Sequence, residues 1–152
     1  MVDLDVTYIP TPKGIVSQML LLANLRRGEN LYDLGAGDGR ILIEAARKFG
    51  ARAKGIEIDP ERVQRIKERL VATGVHAEII EADFMTVDLS SANVVAIYLS
   101  DSANSRLAPK LARELRSGAR VVSLDYTLPG WAPAKELITK GALQRKVYLY
   151  RV

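Results

Sequence analysis

Three closely spaced glycines constrain this chain more than any other feature of its sequence. Gly35, Gly37 and Gly39 occupy three of five consecutive positions. They follow an apolar segment typical of a strand, residues 30–34, and precede a segment with helical periodicity, residues 41–49. Glycine lets the backbone turn sharply and lets a ligand approach where no Cβ intrudes. The pattern predicts a strand–turn–helix unit whose turn binds a ligand.

Acidic residues around this turn indicate which ligand it takes. Glu57 ends the next apolar strand, where a carboxylate can accept hydrogen bonds from ribose hydroxyls. Dinucleotide sites use the spacing GxGxxG and hold a pyrophosphate at the helix N-terminus. Here the spacing is GxGxG, Arg40 replaces the third glycine, and Asp33 and Asp38 would repel a pyrophosphate. Two carboxylates suit the sulfonium and α-amino group of S-adenosylmethionine. The alternative is an ordinary glycine-rich β–α turn.

Size and composition set limits on the architecture and location of the chain. A length of 152 residues predicts a single domain, with residues 1–27 as an N-terminal cap segment and helix, and no added substrate domain. No apolar run is long enough to span a bilayer, and acidic residues near the N-terminus argue against a signal peptide. We therefore expect a cytoplasmic monomer that does not insert into a membrane.

The scarcity of cysteine and histidine excludes several kinds of chemistry. The chain has no cysteine and only one histidine, His76, so thiol catalysis and the usual Cys and His metal sites are excluded. The net charge of +4 mildly favours an acidic partner such as nucleic acid. The basic residues of the segment 61–69 alternate with Glu61 and Glu68, however, which is typical of a solvated helix face. Nucleic acid is a possible partner but not the favoured one.

Strands and helices alternate along the chain, which predicts a doubly wound α/β sheet. The predicted helices span residues 12–24, 41–49, 60–73 and 102–116, and the predicted strands span 30–34, 53–57, 77–80, 94–99, 120–124, 135–138 and 146–150. Thr11 is predicted to cap the first helix, Val71 to face the core, and Pro109 to divide the fourth helix. The link between strands five and six is too short for a crossover helix, so the last two strands should form an antiparallel hairpin.

The motifs along this framework resemble those of class I S-adenosylmethionine-dependent methyltransferases. More narrowly, they resemble the small archaeal protein-lysine methyltransferases and their mitochondrial relatives. The motifs that carry the resemblance are Tyr8-Ile9-Pro10-Thr11-Pro12, the glycine turn from Tyr32 to Arg40, Gly55-Ile56-Glu57-Ile58, Asp83-Phe84, Leu107-Ala108-Pro109-Lys110-Leu111, Gly118-Ala119-Arg120-Val121-Val122-Ser123, Gly130-Trp131 and Val147-Tyr148-Leu149-Tyr150. The resemblance implies a seven-strand sheet of order 3-2-1-4-5-7-6 with the last strand antiparallel.

The resemblance also implies which residues bind the cofactor. Glu57 would hold the ribose, Ile58 and Phe84 would contact the adenine, and Asp83 would accept a hydrogen bond from its amino group. Core packing is the alternative for Phe84, and a helix or turn cap for Glu57 and Asp83. The remaining predicted cofactor contacts, at the methionine end, are Tyr8, Thr11, Asp33, Gly35, Gly37 and Asp38.

The acceptor is expected beyond the fourth and fifth strands. Tyr8, Tyr98, Asp101 and Trp131 are the predicted acceptor-positioning residues, although Trp131 could instead be a packed loop anchor. The segment Tyr98-Leu99-Ser100-Asp101 replaces the Asn-Pro-Pro-Tyr-like motif of enzymes that methylate adenine, cytosine or glutamine. The favoured function is protein-lysine methylation of broad specificity, on proteins with exposed lysines. Methylation of RNA or a small molecule, and cofactor binding without turnover, are the alternatives.

Overall fold

A computed structural model of the chain describes residues 14–152. In chain order its elements are α1 (Ile15–Leu22), β1 (Asn30–Leu34), α2 (Arg40–Phe49), β2 (Arg52–Glu57), α3 (Pro60–Thr73), β3 (Glu78–Glu81), a 3₁₀ turn (Phe84–Thr86), β4 (Val94–Ile97), α4 (Asp101–Glu114), β5 (Arg120–Leu124), β6 (Lys135–Ile138) and β7 (Lys146–Arg151).

The strands form one seven-stranded sheet in the order β3-β2-β1-β4-β5-β7-β6. Strands β1 to β5 are parallel to their neighbours, and β7 runs antiparallel to both β5 and β6. The predicted order and the antiparallel last strand are confirmed. Because β7 lies inside the sheet and β6 lies at its edge, β6 runs in the same direction as β5.

Helices cover the two faces of the sheet unequally. Apolar side chains of α1, α2 and α3 pack on one face, and those of α4 pack on the other. All four residues of β4 are buried, as expected of a central strand covered on both faces. Only the short 3₁₀ turn lies between β3 and β4, so α4 is the only described helix whose side chains join the core on its face.

Gly55 allows α2 and the glycine turn to pack closely on β2. A Cβ at this position would lie 2.6 Å from Leu42 Cδ1 and 2.9 Å from Ala36 Cβ. Contacts this short do not occur, so any larger residue would push the turn away from the sheet. This close packing fixes the height of the turn above the strand ends.

Local sequence signals explain the bounds of α3. Asp59 accepts a hydrogen bond from the Glu61 N–H at 2.9 Å, Pro60 takes the first helical position, and Gly74 ends the helix with φ of 67°. These are the preferred residues at their positions, because proline lacks an N–H and glycine tolerates the left-handed conformation. Both predicted ends of this helix are confirmed.

The structure corrects three details of the predicted elements. Residue Pro109 does not divide α4, which continues through it; the apolar contacts of Leu107, Ala108 and Leu111 hold the helix together on both sides. Val71 is 84% exposed, because it lies about 100° around the helix from buried Leu70. The fourth strand ends at residue 97 rather than 99.

The first helix also differs from its prediction at its C-terminal end. The predicted range is residues 12–24, whereas α1 ends at Leu22 and is followed by Ala23, whose backbone N–H closes the last turn. Asn24 has φ of 52°, which lies outside the helical region. The predicted start, with Thr11 as the cap, lies outside the described residues.

Candidate functional site

The glycine turn lies at the carboxyl end of β1, beside the point where the sheet reverses its winding between β1 and β4. Gly35, Gly37 and Gly39 have φ of 76°, 61° and 81°, a conformation that other residues rarely adopt. Gly35 is exposed although its neighbours are buried, and a Cβ there would lie 3.0 Å from the Leu99 side chain. The turn therefore presents bare backbone at the position where α/β sheets bind ligands.

Glu57 is a buried carboxylate that joins β2 to this turn. It is 3% exposed. Its Oε1 accepts from the Gly37 N–H at 2.9 Å and its Oε2 accepts from the Asp59 N–H at 3.0 Å. The nearest guanidinium nitrogen of Arg62 lies 3.9 Å from Oε2. A carboxylate oxygen can accept more than one hydrogen bond, so this fixed group retains the capacity to accept from ligand hydroxyls.

Asp33 is a second buried carboxyl group, and it favours its neutral form. Burial raises the pKa of Asp33 to about 8, and the nearby carboxylates of Glu57 and Asp38 add to the shift. A cation placed beside Asp33 would reverse this shift because it favours the charged form. The group therefore suits a positively charged ligand such as an amino acid's ammonium or a sulfonium.

The carboxylate of Asp38 is paired with two arginines. Its carboxylate accepts two hydrogen bonds from Arg40 Nε, both at 3.0 Å, and lies 3.4 Å from Arg69 Nη1. Burial opposes ionisation, but the Arg40 hydrogen bonds outweigh it and lower the pKa of Asp38. Arg69 is exposed, as expected of a solvated helix face, and it also anchors α3 to the turn. Contact between Asp38 and the cofactor stays a prediction.

The other predicted cofactor residues follow β2 and β3 at the same edge. The Ala82 N–H donates to the Glu57 carbonyl at 3.0 Å, which places the segment after β3 beside the end of β2. Asp83 caps the 3₁₀ turn by accepting from the Met85 N–H at 2.9 Å. Ile58 and Phe84 are half-buried. Tyr8 and Thr11 lie outside the described residues, so their contacts also stay predictions.

Two tyrosines meet beyond the ends of β4 and β5. The rings of Tyr98 and Tyr126 stack with centroids 6.5 Å apart and an interplanar angle of 24°. Ser100 caps α4 by accepting from the Ala103 N–H at 3.1 Å, and Asp101 is exposed at the first position of that helix. Asn104 donates to the Thr127 carbonyl at 3.0 Å and so fixes the segment that carries Tyr126.

Sequence reasoning missed an arginine that contacts this pair. Arg145 precedes β7 and donates from Nη2 to the Tyr98 hydroxyl at 2.7 Å. Its Nε donates to both carboxylate oxygens of Asp125 at 3.0 Å. These hydrogen bonds raise the pKa of Arg145 above its ordinary value. No local sequence signal marks Arg145, because only the reversed direction of β7 brings it to this edge.

Trp131 packs on the face of the sheet that α4 covers. Its ring meets the ring of Tyr150 edge-on, with centroids 6.0 Å apart. The Tyr150 hydroxyl accepts from the Leu128 N–H at 2.9 Å, and the Trp131 N–H donates to the Leu128 carbonyl at 3.2 Å. This packing matches the loop-anchor alternative for Trp131. Its role at the acceptor stays a prediction.

A groove of about 1240 Å³ lies at the amino end of the strands. Its walls include Asn30, Arg52 and Glu78, which are on the opposite edge from the glycine turn. It contains none of the predicted site residues, so its volume does not make it the candidate site.

Within residues 14–152 no cluster of three His, Cys, Asp or Glu residues could hold a metal ion. No helix in that part of the chain is long and apolar enough to cross a membrane.

Comparison with known proteins gives a consistent match over most of the chain. The model of the ANTKMT methyltransferase domain matches residues 33–135. A protein-lysine N-methyltransferase of Saccharolobus islandicus is 40% identical over 149 residues, which cover 95% of this chain and 92% of the relative. The adenine nucleotide translocase lysine N-methyltransferase of Mus musculus is 36% identical over 86% of this chain. This chain spans only 57% of the mouse protein.

A solved structure agrees in fold and in sequence. An RNA methyltransferase from Salinibacter ruber, crystallised in complex with S-adenosyl-L-homocysteine, superimposes with a TM-score of 0.89 at 42% identity. The match covers 94% of this chain and 93% of that protein. Together these similarities confirm the resemblance that the motifs predicted.

Proposed function

The chain belongs to the family of ANTKMT methyltransferase domains, and from that premise we propose that it transfers methyl groups from S-adenosylmethionine to lysine side chains of proteins. The observation that carries the lysine acceptor is the 40% identity with a protein-lysine N-methyltransferase over nearly the full length of both proteins. A protein substrate with exposed lysines follows from the same match. The monomeric state and cytoplasmic location remain predictions.

The residues at the carboxyl ends of the strands, which we call the carboxyl edge of the sheet, fit S-adenosylmethionine. Gly35 is exposed, and it lacks the Cβ that would otherwise lie 3.0 Å from the Leu99 side chain. The methionine part of the cofactor can therefore approach its backbone closely. Glu57, fixed by two backbone N–H groups, can accept from the ribose hydroxyls. Buried Asp33 gains a counter-charge from the cofactor's ammonium or sulfonium group. The donors and acceptors present are thus those that a cationic nucleoside needs.

The cofactor, when bound, supplies a methyl group already activated by its bond to a positively charged sulfur. The protein's residues have to align the acceptor with that group and exclude water. Tyr98 and Tyr126 would hold the aliphatic stem of the acceptor lysine against their stacked rings.

The lysine must be neutral before its nitrogen can attack. Its free pKa is about 10.4. Burial against the rings disfavours the ammonium, because the charged form loses hydration. No dedicated base is therefore required, and the released proton passes to water.

Methylation of separate acceptor pools with labelled S-adenosylmethionine tests the proposal. We expect label in a lysine-rich protein pool and none in RNA or a pool of small metabolites. Mass spectrometry of the protein should then place one or more added methyl groups on lysine side chains. Label on glutamine or arginine alone would contradict the lysine acceptor while leaving methyl transfer intact.

RNA is the second candidate acceptor. The Salinibacter ruber protein, 42% identical, is described as an RNA methyltransferase, and the net charge of +4 suits an acidic partner. Label in RNA alone would favour this candidate. Binding would then weaken steeply with added salt, because contacts to phosphates release counterions.

A further inference from the structure

Four side chains form one cluster at the carboxyl edge, beyond the ends of β4 and β5. We call Tyr98, Asp125, Tyr126 and Arg145 the rim cluster. Arg145 connects its members: it donates to the Tyr98 hydroxyl at 2.7 Å and to both carboxylate oxygens of Asp125. The guanidinium carbon lies 5.5 Å from the centre of the Tyr98 ring. The two stacked tyrosines therefore have a fixed cation beside one of them.

The backbone holds Arg145 in place. Its N–H donates to the Thr139 hydroxyl at 2.9 Å, and its carbonyl accepts from the Thr139 N–H at 2.8 Å. The Asp125 N–H donates to the Lys146 carbonyl at 2.8 Å. The Arg145 and Asp125 side chains are 22% and 26% exposed. Backbone hydrogen bonds therefore fix both Arg145 and Asp125, and their pair is not a mobile surface contact.

Stability alone does not account for this arrangement. Asp125 has φ of 65°, a left-handed conformation that carries an energetic cost in residues other than glycine, smaller in Asp than in most. A partly exposed ion pair returns little stability, about as much as that cost. Strained residues of this kind cluster at functional sites, where the surrounding structure fixes them.

The hydrogen bond from Arg145 leaves the Tyr98 hydroxyl able to bind one more group. A guanidinium has no acceptor, so Tyr98 oxygen accepts from Arg145 and keeps one lone pair and its own hydrogen. A neutral lysine amine has two N–H donors and one lone pair. If an N–H of the amine donates to Tyr98, its lone pair remains free to attack a methyl carbon.

We propose that Arg145 is a positioning residue for methyl transfer and that it acts through Tyr98. Arg145 holds the phenol oxygen of Tyr98 at the position where that oxygen accepts a hydrogen bond from an N–H of the acceptor amine. The inference rests on the proposed function. In the positioned step, the lysine nitrogen bonds to the methyl carbon while the carbon–sulfur bond breaks and its electron pair goes to sulfur. The methylated ammonium then loses a proton to water. Asp125 holds the Arg145 side chain for this task.

A double-mutant cycle tests the link between the two residues. Arg145→Met, Tyr98→Phe and the double variant are assayed for kcat/KM on a lysine-containing protein at saturating cofactor. We expect each single variant to lose about tenfold, and the double variant to lose no more than the worse single one, because both remove the same contact. The affinity for S-adenosylmethionine should stay unchanged in all three.

Arg120→Met is the matched control. Arg120 is similarly buried and pairs with Glu29 at 2.6 Å, but it lies at the start of β5, on the opposite edge of the sheet. We expect this variant to lower the melting temperature as Arg145→Met does, without changing KM for the acceptor. If Arg145→Met does not fold, Arg145→Lys enters the same cycle, because lysine cannot bond Asp125 and Tyr98 in the same fork.

Two outcomes would overturn the inference and are distinguishable from each other. In the first, the unmodified protein methylates lysine, but the losses in kcat/KM of the two single variants multiply in the double variant. This result would show that Arg145 does not act through Tyr98. Labelling of RNA and not of protein by the unmodified protein would overturn the proposed function, and this inference with it.

Discussion

At the scale of single residues, three carboxyl groups in and beside the glycine turn differ in how they are neutralised. The pKa of Asp33 is raised by burial, whereas that of Asp38 is lowered by its hydrogen bonds with Arg40. Glu57 is satisfied by two backbone N–H groups. Of the three, only Asp33 lacks a compensating partner within residues 14–152, which makes it the position where a cationic ligand changes the charge balance most.

Asp33→Asn should make the protein more stable near pH 8 and should reduce the dependence of stability on pH. The pKa of Asp33 is about 8 in the folded protein, against an ordinary value of 3.8. As the pH rises, the unfolded chain therefore loses the Asp33 proton at a lower pH than the folded protein does. The unmodified protein therefore loses stability as pH rises from about 4 to about 8. Urea unfolding across this range measures the effect, with exposed Glu61→Gln as the control. An equal loss in Asp33→Asn would contradict the prediction.

Glu57→Ala should weaken cofactor binding and also destabilise the glycine turn. Removal of the carboxylate loses a ribose acceptor, at about 1.5–3 kcal/mol of binding free energy. It also leaves the Gly37 and Asp59 N–H groups without their acceptor, at about 1–3 kcal/mol of stability each. Calorimetric titration with S-adenosylmethionine and urea unfolding measure the two effects.

Glu81→Ala is the matched control for Glu57→Ala. Glu81 pairs in register with Glu57 on the neighbouring strand but is exposed. We expect Glu81→Ala to bind the cofactor with unchanged affinity. Unchanged cofactor affinity in Glu57→Ala would remove Glu57 from the site.

Single residues at the carboxyl edge were predictable to different degrees. Asp33 and Glu57 lie in the last two positions of apolar strand segments, so a local pattern places them near the strand ends. Arg145 is 47 residues from Tyr98 in sequence and 20 from Asp125, and no periodicity links positions so far apart. Their contact depends on the strand order, which only the resemblance implied. The pairing of Asp38 with Arg69 is equally non-local.

At the scale of elements, α4 shows how tertiary packing overrides a local signal. Proline removes a helical hydrogen bond and disfavours a helical residue before it, so Pro109 predicted a break. Yet the helix is continuous from Asp101 to Glu114, and Pro109 itself is exposed. The strand segments, in contrast, were predictable because their apolar runs are short and bounded by turn residues.

Pro109→Ala should stabilise the protein. Alanine restores an N–H that can donate to the Ser105 carbonyl, and it removes a residue that costs up to about 3 kcal/mol inside a helix. No buried contact is lost because Pro109 is exposed. Denaturant unfolding measures the gain, with exposed Ser102→Ala in the same helix expected to change stability by less than about 0.5 kcal/mol. A loss of stability would show that the proline is required for the path of α4.

At the scale of the whole molecule, the described chain consists of one sheet with its helices, and most of the predicted cofactor and acceptor residues within residues 14–152 lie at the carboxyl ends of its strands. Glu57 ends β2, Asp83 follows β3, and Tyr98 and Asp101 follow β4. Within residues 14–152 no separate substrate domain covers this edge. With no such domain among the described residues, we expect these strand ends to contact only a short stretch of a protein around the acceptor lysine.

The enzyme should therefore methylate several unrelated proteins, and unfolded forms faster than folded ones. Unfolding exposes more lysines that can reach an open edge, while a site that recognised a whole folded partner would show the reverse. Label incorporated into native and reduced, denatured forms of the same proteins measures the difference. The same proteins with their lysines chemically blocked beforehand serve as the control. Methylation of one folded protein alone would contradict the expectation of broad specificity.

The position of β7 between β5 and β6 also determines the order in which the sheet can be completed. In the described sheet β6 pairs only with β7, although β6 is synthesised first. Until β7 is made, β6 has no partner and β5 presents an open edge, which is a surface prone to pairing with other chains. Arg145, immediately before β7, reaches Tyr98 at the same late stage. We therefore expect closure of the sheet and completion of the proposed acceptor site to occur together during folding.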